Sequence, residues 1–226
     1  MILVSQSYTT DSEERNEELR RARLLNEWCG LFDAVDYVDG SDHQWSFNEL
    51  FAHCASKYRG QKCVVANADI AFHESAGLKE AISSGRLICL TRWEDSSGPN
   101  MLGHHFNAVS HVGALSVSGR VFSGTQDSWG FMAGELPDIP IEVPTGALGC
   151  DQLIAAWAAT SGLFVSNPCL SVRTRHIHGS GVRGDRSFSV SGLYGYPEVT
   201  TLEATGWMAF HQWPGPLELT FAQCQP

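Results

Sequence analysis

In CVVANADIAF, residues 63–72, a β-branched apolar pair runs directly into Asn67, Ala68 and Asp69. Aspartate oxygen suits a hard divalent cation such as Mg²⁺ or Mn²⁺, and a cation held there would neutralise a bridging diphosphate. The plain alternative is an Asx turn at the end of a strand. Further along, His176 and His178 stand two apart in RTRHIHG. On an extended segment both imidazoles fall on one face, where one or both could reach a metal. Arg173, Arg175, Arg183 and Arg186 flank them against Asp185 alone, in a chain of net charge −10. Guanidinium forks suit phosphate, so this stretch is a candidate anion site.

Asp151 opens GALGCDQLIAAWAATSG, whose Leu153, Ile154, Trp157 and Ala158 form an apolar helical stripe ending at Gly162. The 100° rule puts Asp151 on the same face, pointing toward a sheet. It is either a helix cap or a candidate catalytic base. In VFSGTQDSWGF, residues 121–131, Gln126 and Asp127 precede Trp129, an aromatic that either stacks on a sugar or base or is buried in the core. His104, His105 and His111 have no metal-ligand spacing and read as solvated loop residues. GSGVRG at 179–184 formally matches a dinucleotide fingerprint, but a strand-like alternation follows it where a helix is required. No P-loop, H-E-x-x-H or G-x-S-x-G occurs.

The elements that must position these residues alternate between strand and helix. Met1 to Ser5 reads as a strand, and Asp11 with Glu14 as a capping box for a helix striped by Leu19, Ala22, Leu25 and Trp28. DAVDYVDG is a second strand. Ser46 with Glu49 caps a helix carrying Phe47, Leu50, Phe51, Cys54 and Tyr58 at helical spacing. KCVVA, a helix in HESAGLKEAISSG and a strand in RLICLTRW follow. This order predicts an α/β fold with a mostly parallel sheet covered on both sides, whose ligands bind beyond the carboxyl ends of the strands. Asn67 and Asp69 stand at such an end.

Composition bounds the class. The 226 residues are 43% hydrophobic and suit one large domain. The acidic balance, pI ≈ 5.3, argues against nonspecific attraction to nucleic acid or an anionic membrane. Seven cysteines without a C-x-x-C pair, mostly in apolar runs, predict a reducing, cytoplasmic setting. No apolar run is long enough to cross a membrane as a helix, and no signal peptide is recognisable. Residues 184–226, rich in Gly, Pro and aromatics, form an extension expected to pack on the same domain; they are also a candidate oligomer contact. Trp207, Phe210 and Trp213 read there as packing anchors.

Taken in order, the N-terminal strand, NADI at a strand end, GTQDSW, LGCDQ before a helix, SNPCL and HIHGSGVR resemble the nucleotide-sugar-dependent glycosyltransferases of the GT-A fold over about residues 1–183. The resemblance implies a single Rossmann-like domain and a Mn²⁺ or Mg²⁺ ion held by Asp69 with His176 or His178. It puts Asn67 and Arg183 on the donor diphosphate, and Ser5, Gln6 and Tyr8 at the donor's base and ribose. Asp151 becomes the base, with Asp127 a second catalytic carboxylate. Gln126 and Trp129 would frame an acceptor, either a saccharide or a modified base in DNA. The family's Asp-x-Asp motif here reads Asn-Ala-Asp, so one carboxylate is missing. Two rival readings stand beside it: a nucleotidyltransferase, disfavoured because SQSYTTDSEER after the first strand is neither Gly-rich nor basic, and a noncatalytic module that binds a nucleotide or a sugar.

Overall fold

The structure, a computed structural model, describes residues 1–72, 75–94, 114–182, 190–213 and 220–224. Its elements are β1 (Ile2–Ser7), α1 (Glu13–Trp28), β2 (Ala34–Asp39), α2 (Phe47–Lys57), β3 (Lys62–Ala66), β4 (Ile70–Phe72), α3 (Leu78–Ala81), β5 (Arg86–Leu90) and β6 (Trp93–Glu94). There follow β7 (Ala114–Val117), β8 (Arg120–Ser123), β9 (Ser128–Met132), α4 (Cys150–Thr160), β10 (Phe164–Ser166), β11 (Thr174–His176), β12 (Gly192–Pro197), β13 (Trp207–Trp213) and β14 (Thr220–Gln223).

A six-stranded sheet, ordered β10-β5-β9-β3-β1-β2, forms the centre. Its pairings are parallel except at β9, which runs antiparallel to both β3 and β5. Strand alternation sends Ile2, Val4, Cys63, Val65, Trp129 and Phe131 to one face, against Phe47, Leu50 and Cys54 of α2 and Leu153, Ile154 and Trp157 of α4. Leu3, Val64, Ala66, Ile88 and Leu90 go to the other face, against Leu78 of α3 and the apolar residues Ile70 and Phe72 of β4. The expected mostly parallel α/β sheet is therefore present. Helices flank it less evenly than expected, because the second face is covered largely by a small sheet, β4-β11-β6. Gly130 lets the end of α3 close on this face, since a side chain there would meet the Ile82 Cδ1 at 2.8 Å.

Helix α1 docks on that small sheet. Asn26 donates to the Ile70 carbonyl at 2.8 Å and accepts from the Phe72 N–H at 2.9 Å, satisfying the exposed edge of β4. Its buried stripe is Arg15, Leu19, Ala22 and Asn26, a spacing of one helical face. Trp28, expected on the stripe, is 78% exposed. The cap is Ser12, whose hydroxyl accepts from the Arg15 N–H, one residue later than the expected Asp11. The Ser46/Glu49 capping box of α2 forms as expected.

Of the helix expected in HESAGLKEAISSG, His73 and Glu74 lie outside the described residues, and among the rest only the four residues of α3 are helical. Gly77 at φ +84° starts it, Ile82 turns extended, and Gly85 at φ +72° completes the turn into β5. The strand expected through Trp93 stops at Leu90 and resumes only as the two-residue β6.

The antiparallel sheet β12-β13-β14 lies against α4 and contributes Met208 to the main core, joined by Cys224 just after β14. Gly195 sets that approach: a Cβ there would sit 2.7 Å from the Ala156 backbone nitrogen and 2.8 Å from its Cα. Trp207 and Phe210 pack inward as anchors. We expect Gly195→Ala to destabilise the protein by about 1–3 kcal/mol, since the obstructing atoms are helix backbone and cannot rotate away. Chemical denaturation reads this directly, and an unchanged midpoint would contradict the packing.

Candidate functional site

Asn67 follows β3 and begins a tight turn in which the Ile70 N–H donates to the Asn67 carbonyl at 3.1 Å. The turn swings Asp69 back toward α1 and β11, where the Ile177 N–H donates to the Asp69 carbonyl at 2.8 Å. On the side chain, Oδ2 of Asp69 accepts from the Arg15 Nη2 at 2.6 Å and lies 3.2 Å from the His176 Nε2 and 3.5 Å from the His178 Nδ1. The two imidazoles stack with ring centroids 5.1 Å apart, so both do share one face. Burial opposes ionisation of Asp69, but His176, His178 and Arg15 outweigh it and hold the carboxyl well below its usual range.

Helix α1 clamps the loop that carries these histidines. Arg15 Nη1 donates to the Ile177 carbonyl at 3.3 Å and to Glu18 Oε2 at 2.9 Å. Glu18 in turn accepts from the Gly179 and Ser180 N–H groups, each at 2.6 Å, and from the Ser180 hydroxyl at 2.9 Å. Tyr8 stands beside Arg15 and Asp69; burial first, then the Asp69 charge, raises its phenol.

Asp69, His176 and His178 each offer a ligand atom, all within 4.8 Å of one another. His178 is the test of whether these residues fit a metal. Its side chain is only 7% exposed; Nδ1 faces Asp69 Oδ2 at 3.5 Å without a well-formed hydrogen bond, and Nε2 has no partner among the described residues. A buried imidazole whose far nitrogen is unpartnered and whose near one only approaches a carboxylate is costly unless a further group binds it. One carboxylate oxygen and two imidazole nitrogens fit a divalent transition ion.

A second group lies at the same end of the sheet, where β9 begins. Arg92 Nη1 sits 2.9 Å from each oxygen of Asp127, and the Asn67 amide donates to Oδ1 at 3.0 Å. The amide of Asn67 is therefore spent on Asp127, and Asn67 is not among the metal-ligand candidates. Aspartate at position 67 would set two carboxylates against each other, which accounts for the missing acid of the NAD triplet.

Asp151 lies in the first turn of α4, behind Gly149 in the left-handed conformation at the cap. Its side chain does not cap the helix. The carboxyl faces the sheet, accepting from the Gln126 N–H, with the Cys150 thiol 3.2 Å from Oδ1. Burial first, then the neighbouring Asp127 charge, pushes it well above the usual carboxyl range.

Several expected site residues fall elsewhere. Trp129 is fully buried, edge-on to Phe47 at 4.6 Å between ring centroids, because β9 is a central strand and its alternation turns this ring into the core. It offers no acceptor surface. Gln126 is equally buried and donates to the Ser123 carbonyl at 2.5 Å, so it too is withdrawn from an acceptor. Ser5 is buried within β1, and Gln6 is turned under Gly40, donating to the His43 carbonyl at 3.3 Å. Neither opens toward a donor. Arg173 lies over the Trp93 ring at 4.4 Å. Arg183, Arg186, His104, His105 and His111 lie outside the described residues.

Arg15, Glu18 and Arg92 escaped the sequence reading. Arg15 had a signal: it occupies an apolar-stripe position four residues before Leu19. No protein-family model matches the chain, and no curated protein matches it.

Burial opposes ionisation of Glu18, but the donors on Arg15, Ser180 and Gly179 pull it down to about 2. A carboxyl lowered on folding stabilises fully above its unfolded value of about 4.3 and loses that contribution as pH falls through the folded value. The stability gap between the wild type and Glu18→Gln should therefore be constant near neutrality and shrink between about pH 4 and 2. Urea midpoints across that range check it; a gap that does not narrow would contradict the clamp.

Proposed function

We propose that the protein is a glycosyltransferase that moves a sugar from a nucleotide-sugar donor to an acceptor hydroxyl. The observation that supports this reading best is the convergence of Asp69, His176 and His178 at the carboxyl end of the parallel strands, close to a separate pair of carboxyls. The first group suits a diphosphate held through a divalent cation, and the second suits proton transfer. Few other group transfers need both at one sheet edge.

Asp69, His176 and His178 would hold Mn²⁺ or Mg²⁺, and two imidazoles among three ligands favour Mn²⁺. When bound, the ion supplies neutralisation of charge on the leaving diphosphate. Tyr8, half-buried beside Arg15, offers a ring face to the donor's base or ribose. Asp151 takes the proton of the acceptor hydroxyl. Its raised proton affinity suits that task, because a base is most effective when its affinity lies near the working pH. Arg92 and Asn67 hold the Asp127 carboxyl in place through its two oxygens.

Nucleoside diphosphates should stabilise the protein with Mn²⁺ present and not without it, by about 2.7 kcal/mol at 100 times the dissociation constant, read as a raised melting temperature. Asp69→Ala should abolish the shift. Asp151→Asn should keep the shift and slow sugar transfer by about 10²–10⁴-fold. Absence of any shift across the common nucleotides would overturn the donor assignment. Shifts without transfer would leave a nucleotide-binding module, and undiminished transfer in Asp151→Asn would remove that residue as the base.

A further inference from the structure

Helix α4 begins without a side-chain cap of its own. Its N-cap is Gly149, which offers nothing to accept from the first N–H groups of the helix. The turn there is set from outside. The Val190 N–H donates to the Leu148 carbonyl at 3.0 Å, and the Tyr194 hydroxyl donates to the Val190 carbonyl. The phenol, buried in this position, rests over Gly149, where a Cβ would overlap its oxygen and lie 2.5 Å from its Cζ. Glycine is thus required twice at position 149, for a φ of +87° and for the ring above it.

The strand that carries Tyr194 follows the helix onward. A Cβ on Gly192 would meet the Leu153 Cδ1 at 3.2 Å, and one on Gly195 would meet the Ala156 backbone. Gly149, Leu153 and Ala156 stand at i, i+4 and i+7, so β12 covers one face of α4 over two turns. Asp151 comes two residues after Gly149, about 200° around the helix from that face. Tyr194 therefore bears on Asp151 through the turn it holds.

Cys150 stands between the two. Its thiol lies 3.2 Å from Oδ1 of Asp151, and the residue is 5% exposed within the main core. Side chains one apart on a helix diverge by about 100°, so regular helix geometry does not bring these two together. The contact needs the rotamers that a fixed first turn imposes on both residues. A thiol is a weak donor and does not hold that geometry by itself. The Cys150 N–H donates to the Ala147 carbonyl at 3.3 Å, which ties the thiol's own backbone into the same turn.

We propose that Tyr194 and Cys150 are positioning residues for Asp151: Tyr194 fixes the left-handed turn that opens α4, and the Cys150 thiol, presented by that turn, orients the carboxyl. The C-terminal sheet thereby takes part in the site. The proposal rests on the reading of Asp151 as the base, for which a misplacement of about 1 Å costs about 10²-fold in rate. The contact itself is testable without donor, metal or turnover.

The experiment is infrared spectroscopy of the S–H stretch, with the Cys150 band assigned by its loss in Cys150→Ala. A thiol that donates a hydrogen bond absorbs at lower wavenumber than a free one, so the band should rise in Asp151→Ala. It should rise as well in Tyr194→Phe, which keeps the ring and loses the bond to Val190. Gly195→Ala, which loosens β12 from α4 beyond the first turn, controls for a general loss of packing and should leave the band in place. A band unmoved in Asp151→Ala or in folded Tyr194→Phe would overturn the proposal, as would an equal rise in Gly195→Ala. Should Tyr194→Phe fail to fold, hydrogen exchange in the wild type decides: the Val190 amide should be as protected as the Leu153 amide, and fast exchange at Val190 counts against the proposal. In a transfer assay, Tyr194→Phe and Cys150→Ala should lower kcat by about 10- to 100-fold at unchanged KM. Failure of the wild type to transfer any sugar would bear on the function and leave the spectroscopic result intact.

Discussion

One carboxylate oxygen, Oδ2 of Asp69, holds together three parts of the chain that sequence separates widely. Arg15 reaches it from α1, Asp69 itself comes from the turn after β3, and His176 and His178 arrive from β11 and the loop beyond. Opposite charge at this distance in an enclosed site is strong, and the cost of burying the carboxylate is met only while its partners stay in place. The clamp through Glu18 to Ser180 exists to keep them there, and the short sheet β4-β11-β6 supplies the backbone on which they ride. Loss of the Asp69 charge would leave Arg15 buried without its strongest partner, so the fold on this face and the candidate site stand on the same interaction.

The antiparallel strand β9 has a comparable role on the other side. By running against β3 and β5 it begins where they end, which delivers Asp127 to the edge where Asn67 and Arg92 follow the ends of those strands. The same alternation that presents Asp127 buries Trp129 two residues on. Position 67 joins the two halves of the site: its backbone opens the turn that aims Asp69, and its amide holds Asp127. That dual demand explains why an amide and not a carboxylate precedes Asp69.

Local signals in the sequence carried further than long-range ones. The capping box at Ser46 and Glu49, the apolar pattern of β3 and β5, and the two-residue spacing of His176 and His178 depend on neighbours in the chain, and each is found in the structure. What the sequence concealed depends on distant partners. The insertion of β9 between β3 and β5 is decided by pairing across more than sixty residues' separation on one side, which no periodicity encodes. Trp28 matched a helical stripe, yet the helix is rotated so that Asn26 satisfies the edge of β4 instead. Arg92 looked like an ordinary charge, and Arg15, though on the apolar stripe of α1, is marked as a site residue only by the buried carboxylate it meets. Gly77 and the Ser83-Ser84-Gly85 turn shortened a helix whose composition suggested twelve residues or so.

The most direct test of the account is whether a metal binds where Asp69, His176 and His178 meet. Pulsed electron paramagnetic resonance of Mn²⁺ bound to the protein reports coupling to ligating ¹⁴N nuclei. The account predicts coupling from two imidazole nitrogens, reduced to one in His176→Ala and in His178→Ala, and lost along with tight binding in Asp69→Ala. Bound Mn²⁺ with no nitrogen coupling, or no Mn²⁺ binding at all, would contradict it and leave Asp69 as a structural ion pair alone.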